Sequence, residues 1–376
     1  MTQIISILFV LVVSFLFPTP LHHVDITLEP EPIVQEPPPP TPEELILEDM
    51  SVEQKVGQLF IFGFDGISLN KENKKFLVDH NIGGILLLSK NISSETQLKT
   101  LITDIQTSND IPLFISIDQE GGPVARIRWD SSLTKAQTSI NTAQQAYDDA
   151  LTKGKYLKSL GINMNLAPVI EYIYDENSFI YDRVYRGSRE EVIEKSISAI
   201  NGYTEAGIVS VPKHYPGHSD TSIDSHYNLP VVKIEEDQWN EYIKPFANVL
   251  SNTTVDAIMV GHVQFPNIDS SPTTVSNEII TSKLIDDLEY TGLVISDDME
   301  MGALDDMDTY QNIAKKALEA GNDILIYSKY MNKHPNIQND VYEYIVDEVK
   351  NGNMDIDEKV LKILRVKMKY NIFNIN

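Results

Sequence analysis

The 376-residue sequence contains no cysteine. That absence excludes a disulfide framework, thiolate chemistry, and cysteine-ligated zinc or iron–sulfur sites. Positive charge is scarce: 30 Lys and Arg stand against 55 Asp and Glu, a formal net charge of −25. Such a surface repels a phosphate backbone, so no nucleic-acid partner is expected. No sequence repeat of the kind that builds solenoids is present. What remains is a globular composition, 42 % hydrophobic, long enough for one large α/β barrel or two ordinary domains.

The first fifty residues differ from the rest. Ile4–Phe17 is apolar, interrupted only by Ser6 and Ser14. It has the length of a signal-peptide core and is short for a membrane span. The first Lys or Arg is Lys55, so the usual positive flank is missing, as is a small-residue cleavage motif. Residues 29–42, EPEPIVQEPPPPTP, are half proline, and such chain is extended and semi-rigid. The expected organisation is a signal peptide or membrane anchor over 1–28, a proline-rich linker over 29–42, and one catalytic domain over 43–376. The apolar start points to a protein exported to the cell envelope, secreted or attached to the membrane. The alternative is an N-terminal helix packed on the fold.

From Glu43 the pattern is regular. Ser51 followed by Gln54 is a capping-box signature for a helix start. Eight short apolar runs follow: Leu59–Phe64, Ile82–Leu88, Pro112–Ile117, Ile162–Leu166, Ile208–Val211, Val255–Val260, Leu293–Ile295 and Asp323–Tyr327. Continuous apolar runs of this length suit strands buried on both faces. Between them apolar residues recur at helical spacing, as at Leu98, Leu101, Ile102 and Ile105. Gly161, Gly207, Gly292 and Gly321 stand where helix C-caps belong. Two helices, near Val341–Lys350 and Ile356–Met368, close the chain. The pattern predicts an α/β fold, a (β/α)8 TIM-type barrel forming a single catalytic domain. A doubly wound open sheet is the alternative.

In such barrels chemistry sits at the C-terminal ends of the strands. Asp118-Gln119-Glu120-Gly121-Gly122, Asn165 and Pro168, Lys213–His218, Gly261-His262 and Ser296-Asp297-Asp298 all fall on that edge. The segment Lys213–Pro230, KHYPGHSDTSIDSHYNLP, gathers three histidines, two aspartates and a lysine. Pro216 and Gly217 keep it from being a helix that would present His214 and His218 on one face. Asp224 stands two residues from His226, close enough to fix its tautomer and raise its basicity. Of Asp297 and Asp298, strand alternation allows one to face the barrel axis. Asp297 is the expected inward carboxylate and candidate nucleophile, with Asp298 capping the next helix. Asp118 and Arg126 offer acceptors and donors in fixed geometry, suited to sugar hydroxyls or to a structural ion pair.

IDQEGG, KHYPGHSDTSIDSH and SDDMEM, in this order, resemble the β-N-acetylhexosaminidase branch of glycoside hydrolase family 3, from about Leu47 to the C-terminus. The resemblance implies a retaining exo-β-N-acetylglucosaminidase that needs no cofactor or metal. It acts on terminal β-linked N-acetylglucosamine in peptidoglycan fragments or chitooligosaccharides. Asp297 matches the nucleophile, His226 the acid/base and Asp224 its partner. Asp118, Arg126, Arg183, Lys213 and His214 match positions that bind the sugar ring. The sequence departs from the branch at Pro123, at Ser219, at Glu171 and around Arg183. Three other readings stand beside this one: a phosphorylase, a catalytically dead glycan-binding protein, and a metal hydrolase built on His214, His218, Asp220 and His226.

Overall fold

Each of the eight apolar runs supplies one strand of a single parallel sheet, because a strand apolar on both sides must be covered on both faces. In the computed structural model, which describes residues 39–373, these are β1 Phe60–Phe62, β2 Gly84–Leu87, β3 Phe114–Ile117, β4 Met164–Asn165, β5 Val209–Ser210, β6 Ala257–Val260, β7 Leu293–Asp298 and β8 Ile324–Tyr327. Neighbours in space are neighbours in sequence, and β8 returns to β1 through the pairs Phe60↔Leu325, Ile61↔Ile326 and Phe62↔Tyr327. The last seam closes beyond β5, where Tyr215 N–H donates to Met259 O (2.8 Å) and Gly261 N–H to Tyr215 O (2.9 Å). The result is the expected (β/α)8 barrel.

The helices follow the strands. Helices α1 (Pro42–Asp49) and α2 (Val52–Gln58) precede β1, each with a capping box, at Thr41/Glu44 and Ser51/Gln54. Helices α3 (Lys71–His80), α4 (Glu95–Gln106), α5 (Ala143–Ser159) and α6 (Arg189–Glu205) follow β1 to β4 in turn. Helices α7 (Trp239–Tyr242) and α8 (Lys244–Asn252) share the next crossover, a widened helical segment Glu278–Asp286 serves the sixth, and α9 (Tyr310–Glu319) the seventh. Helices α10 (Ile337–Lys350) and α11 (Asp357–Lys369) close the ring. Gly161, Gly207 and Gly321 have φ of +92°, +75° and +119°, as C-caps require. Gly292 does not; there Glu289 takes the left-handed turn at φ +52°.

At the N-terminal end of the barrel Lys367 is fully buried, its Nζ 2.6 Å from Gln58 Oε1 and over the Phe114 ring. Burial pushes this amine down to about 7. The expected leader or anchor over 1–28 and most of the linker over 29–42 lie outside the described residues. Among the described residues no helix is long and apolar enough to cross a membrane.

Candidate active site

At the end of β3 the chain turns into a small hairpin, Gln119–Gly121 with Val124–Ala125. Alternation sends Gln119 away from the barrel mouth, where it binds Arg126 N–H, Ile127 N–H, Ile127 O and Leu133 O. Asp118 and Glu120 therefore face inward. Lys213, on the continuation of β5, joins them, with Nζ 2.8 Å from Asp118 Oδ1 and 2.7 Å from Glu120 Oε1. Arg126 reaches Asp118 Oδ2 at 3.1 Å, and Arg183 grips Glu120 through Nε at 3.0 Å and Nη2 at 2.8 Å. Burial alone would raise both carboxyls. The facing cations outweigh it and hold Asp118 and Glu120 below the usual carboxylate range. Two anions and three cations thus form a rigid floor of fixed donors and acceptors.

The continuations of β4 and β5 pair at Val169↔Lys213, which carries Glu171 beside His214. Glu171 Oε1 lies 2.9 Å from His214 Nδ1 and 3.1 Å from His218 Nδ1, and its carboxylate also accepts both residues' backbone N–H groups. The fold thus brings His214 and His218 together without a helix, their rings 4.9 Å apart and nearly perpendicular. Glu171, His214 and His218 offer ligand atoms within 4.8 Å of one another. Four N–H donors already occupy the carboxylate, so the arrangement fits an anion that sets two histidine tautomers better than a cation site. Burial would raise Glu171, but the two histidines hold it well below its usual range. Burial, helped by the neighbouring His218 and Arg183, drops His214 to about 4 despite Glu171, so its ring is neutral at pH 7. Its Nε2, 3.3 Å from Arg183 Nη2, accepts. The other residues of the metal reading are elsewhere engaged: Asp220 accepts from Tyr174 and Asp175 N–H, and His226 is held by Asp224.

The end of β7 departs from simple alternation. Between Ile295↔Ile324 and Asp298↔Ile326 the register shifts by a bulge. Asp297 and Asp298 consequently both line the barrel mouth. The expected helix cap at Asp298 is absent. Instead Asp298 accepts from Glu300 N–H, Ser328 N–H and Ser328 Oγ, tying β7 to the end of β8. Burial and the charge of Glu300 push Asp298 up to about 7. Asp297 is different. Burial would raise it, but the facing His214, His262 and His226 and the N–H of Asp298 at 2.8 Å hold it at about 2. It is an anion at neutral pH. His262, fully buried, braces this corner through Nε2, 3.0 Å from Asp298 O.

The histidine loop is docked at several points. Phe179 N–H donates to Thr221 O, Gly302 N–H to His226 O at 2.8 Å, and Ala303 N–H to Ser225 O. Ser219 adopts φ +56°, the left-handed region that favours glycine. Asp224 Oδ1 accepts the backbone N–H of His226 at 2.9 Å and faces its Nδ1 at 2.7 Å. Nδ1 therefore carries a proton, and Nε2 is free to give or take one. Both side chains are 40 % exposed, so the dyad stands at the mouth and not on the floor.

One cavity of about 170 Å³ collects these groups. Asp118, Arg126, Arg183, Lys213, His214, His226 and Asp297 all line it, and Asp224 sits behind His226. Sequence reasoning singled out these residues but not Glu120, Glu171 and His262 as working groups, and it gave His218 a role only in the metal reading. Glu120 was legible from its spacing of two from Asp118. Glu171 was not, because its role depends on the pairing of two strand extensions.

Residues 51–366 match the family description "Glycosyl hydrolase family 3 N terminal domain". Beta-hexosaminidase A of Pseudoalteromonas piscicida is 31 % identical over 285 residues, covering 69 % of this chain and 48 % of that protein. The Beta-hexosaminidase of Psychromonas ingrahamii is 31 % identical over 274 residues, covering 71 % of this chain and 81 % of that protein. A solved family 3 β-N-acetylglucosaminidase from a Paenibacillus species superposes with a TM-score of 0.79 at 31 % identity, over 86 % of this chain and 63 % of that one. The chain thus spans about half to four fifths of the length of these relatives.

Proposed function

Since the chain belongs to glycosyl hydrolase family 3, we propose that it is a retaining exo-β-N-acetylglucosaminidase. The observation that carries this reading is the convergence of the Asp297 anion and the Asp224–His226 dyad on one small cavity. The cavity is closed at its floor by the Asp118–Lys213–Glu120 ion grid. Its volume of about 170 Å³ is small beside the roughly 300–1,000 Å³ of pockets for drug-sized ligands. A blind pocket of that size favours one terminal sugar over an internal stretch of polymer.

In this reading a carboxylate oxygen of Asp297 attacks C1 as the C1–O bond to the leaving group breaks. His226, protonated on both nitrogens, gives its Nε2 proton to the departing oxygen. The neutral imidazole then takes a proton from water, and the resulting hydroxide displaces Asp297 from C1. Asp224 holds the ring orientation in both steps and stabilises the imidazolium. Asp118, Arg126, Arg183, Lys213 and His214 bind ring hydroxyls. An imidazole in place of a second carboxylate spares the site a second anion near the nucleophile. It also leaves room for phosphate as acceptor, which is the competing reading. The apolar run Ile4–Phe17 and the proline-rich stretch support placing the activity at the cell envelope, on peptidoglycan fragments.

The test is product analysis on an aryl β-N-acetylglucosaminide, chitobiose and purified muropeptides, with and without phosphate, for wild type and Asp297→Asn. The expected result is free N-acetylglucosamine from the wild type and a loss of at least about 10³-fold in the variant. N-acetylglucosamine 1-phosphate would establish the phosphorylase instead. Binding without turnover would establish a glycan-binding protein.

A further inference from the structure

Of the polar atoms at the cavity, two are buried with no hydrogen-bond partner among the described residues: Arg126 Nε and His218 Nε2. Arg126 belongs to the ring-binding set already proposed. His218 does not, and it is the less expected of the two, since it is 1 % exposed and comes from a loop. Its chemical state follows from its other nitrogen. Nδ1 lies 3.1 Å from Glu171 Oε1, and that carboxylate is ionised and can only accept. Nδ1 is therefore the ring nitrogen that donates to Glu171, and Nε2 is the one left to present a lone pair. His214 has the same tautomer, imposed by the same carboxylate, but its lone pair is met by Arg183 at 3.3 Å. A buried acceptor left unmet is unfavourable unless a ligand supplies the donor.

The position of that lone pair selects the donor. The ring is packed against Phe179, with centroids 5.0 Å apart at 87°. Space beside Nε2 exists because residue 261, at the end of β6, is glycine: a Cβ there would stand 3.3 Å from His218 Cε1 and 3.6 Å from Nε2. The atom thus lies beside the end of β6, next to His262, and its ring lines the same cavity as Asp297. The ion grid of Asp118, Lys213 and Arg126 occupies the ends of β3 and β5. With C1 held over Asp297, the substituent next to the reaction centre is the one on C2. We propose that His218 is the specificity-determining residue for the 2-acetamido group, with Nε2 accepting a hydrogen bond from the amide N–H. Glu171 is its positioning residue. This rests on the glycosidase reading above and adds what selects the aminosugar.

The experiment compares kcat/KM on an aryl 2-acetamido-2-deoxy-β-glucoside with that on the corresponding 2-deoxy-β-glucoside, at pH 8. His218→Phe keeps the ring shape and removes the acceptor, and the 2-acetamido to 2-deoxy ratio should fall about 10- to 100-fold. His218→Gln, whose Oε1 reaches the place of Nε2, should recover most of the ratio. A substrate-side arm needs no variant: the wild type should discriminate by a similar factor against the 2-O-acetyl analogue, which keeps the acetyl shape and lacks the N–H. Where the 2-deoxy glycoside turns over too slowly, the same ratios are read as inhibition constants of the methyl glycosides. An unchanged ratio in a folded His218→Phe protein, or a wild type indifferent to N–H against O, overturns the proposal while the glycosidase reading stands. A wild type with no activity on the 2-acetamido substrate overturns the glycosidase reading itself.

Discussion

Gly302 lies in the turn after β7, directly against the loop that carries His226, the proposed acid/base. A methyl group at this position would stand 2.6 Å from the carbonyl oxygen of Tyr227 and 2.9 Å from that of His226. Ordinary van der Waals contact begins near 3.4 Å, so Gly302→Ala must push the loop back by 3.4 − 2.6, or about 0.8 Å. The push falls on the segment held by the 2.8 Å bond from Gly302 N–H to His226 O. Losing that bond costs about 1 kcal/mol, which the barrel tolerates. Catalysis is more sensitive, because misplacing a reacting group by about 1 Å costs on the order of 10²-fold. The assay is kcat/KM across aryl β-N-acetylglucosaminides of graded leaving-group acidity, with unfolding midpoints from circular dichroism. Substrates that need protonation should lose about 100-fold, whereas a dinitrophenyl glycoside, which leaves unaided, should lose far less. A folded Gly302→Ala protein with wild-type rates on poor leaving groups would refute the claim that this turn positions His226.

Other predictions follow from the same geometry. His226→Ala should slow poor leaving groups by about 10²- to 10⁴-fold and activated aryl glycosides much less in the glycosylation step; equal losses in single-turnover kinetics would contradict the acid role. Asp298, raised to about 7 by burial and by Glu300, keeps a proton in the folded state that the unfolded chain, near 3.9, has released. Stability should therefore fall as pH rises from about 4 to 7, by up to about 4 kcal/mol, and Asp298→Asn should flatten that fall in urea titrations. Lys367 has the opposite sign. Burial lowers it to about 7 against about 10.4 unfolded, so stability rises with pH through that window. Lys367→Met should be more stable near pH 7 by about 2–4 kcal/mol, and a lower midpoint would show that the Gln58 contact outweighs the buried amine.

The barrel was legible because its strands are apolar on both faces and its loops are not. Seven of the eight runs from Leu59–Phe64 to Asp323–Tyr327 contain their strand of the closed sheet, and β7 runs past its own, Leu293–Ile295, to Asp298. The site was legible where chemistry follows strand order, as with Asp118, Lys213 and Asp297. It was hidden where geometry breaks the local rule. Alternation predicts one inward acid at the end of β7, and the bulge after Ile295 brings two. Pro216 and Gly217 exclude the helix that would present His214 and His218 on one face, yet the turn they form still brings both onto Glu171. Glu171 is a single residue in an apolar stretch, 43 and 47 positions from its partners, and no spacing pattern connects them.

The measurement closest to the central claim is mass spectrometry of the enzyme after reaction with a 5-fluoro-N-acetylglucosaminyl fluoride, which slows release of a covalent intermediate more than its formation. The account predicts a single added aminosugar on the peptide that spans β7, located at Asp297. A label on another side chain, or an unmodified enzyme that still turns over its substrate with inversion at C1, would contradict it.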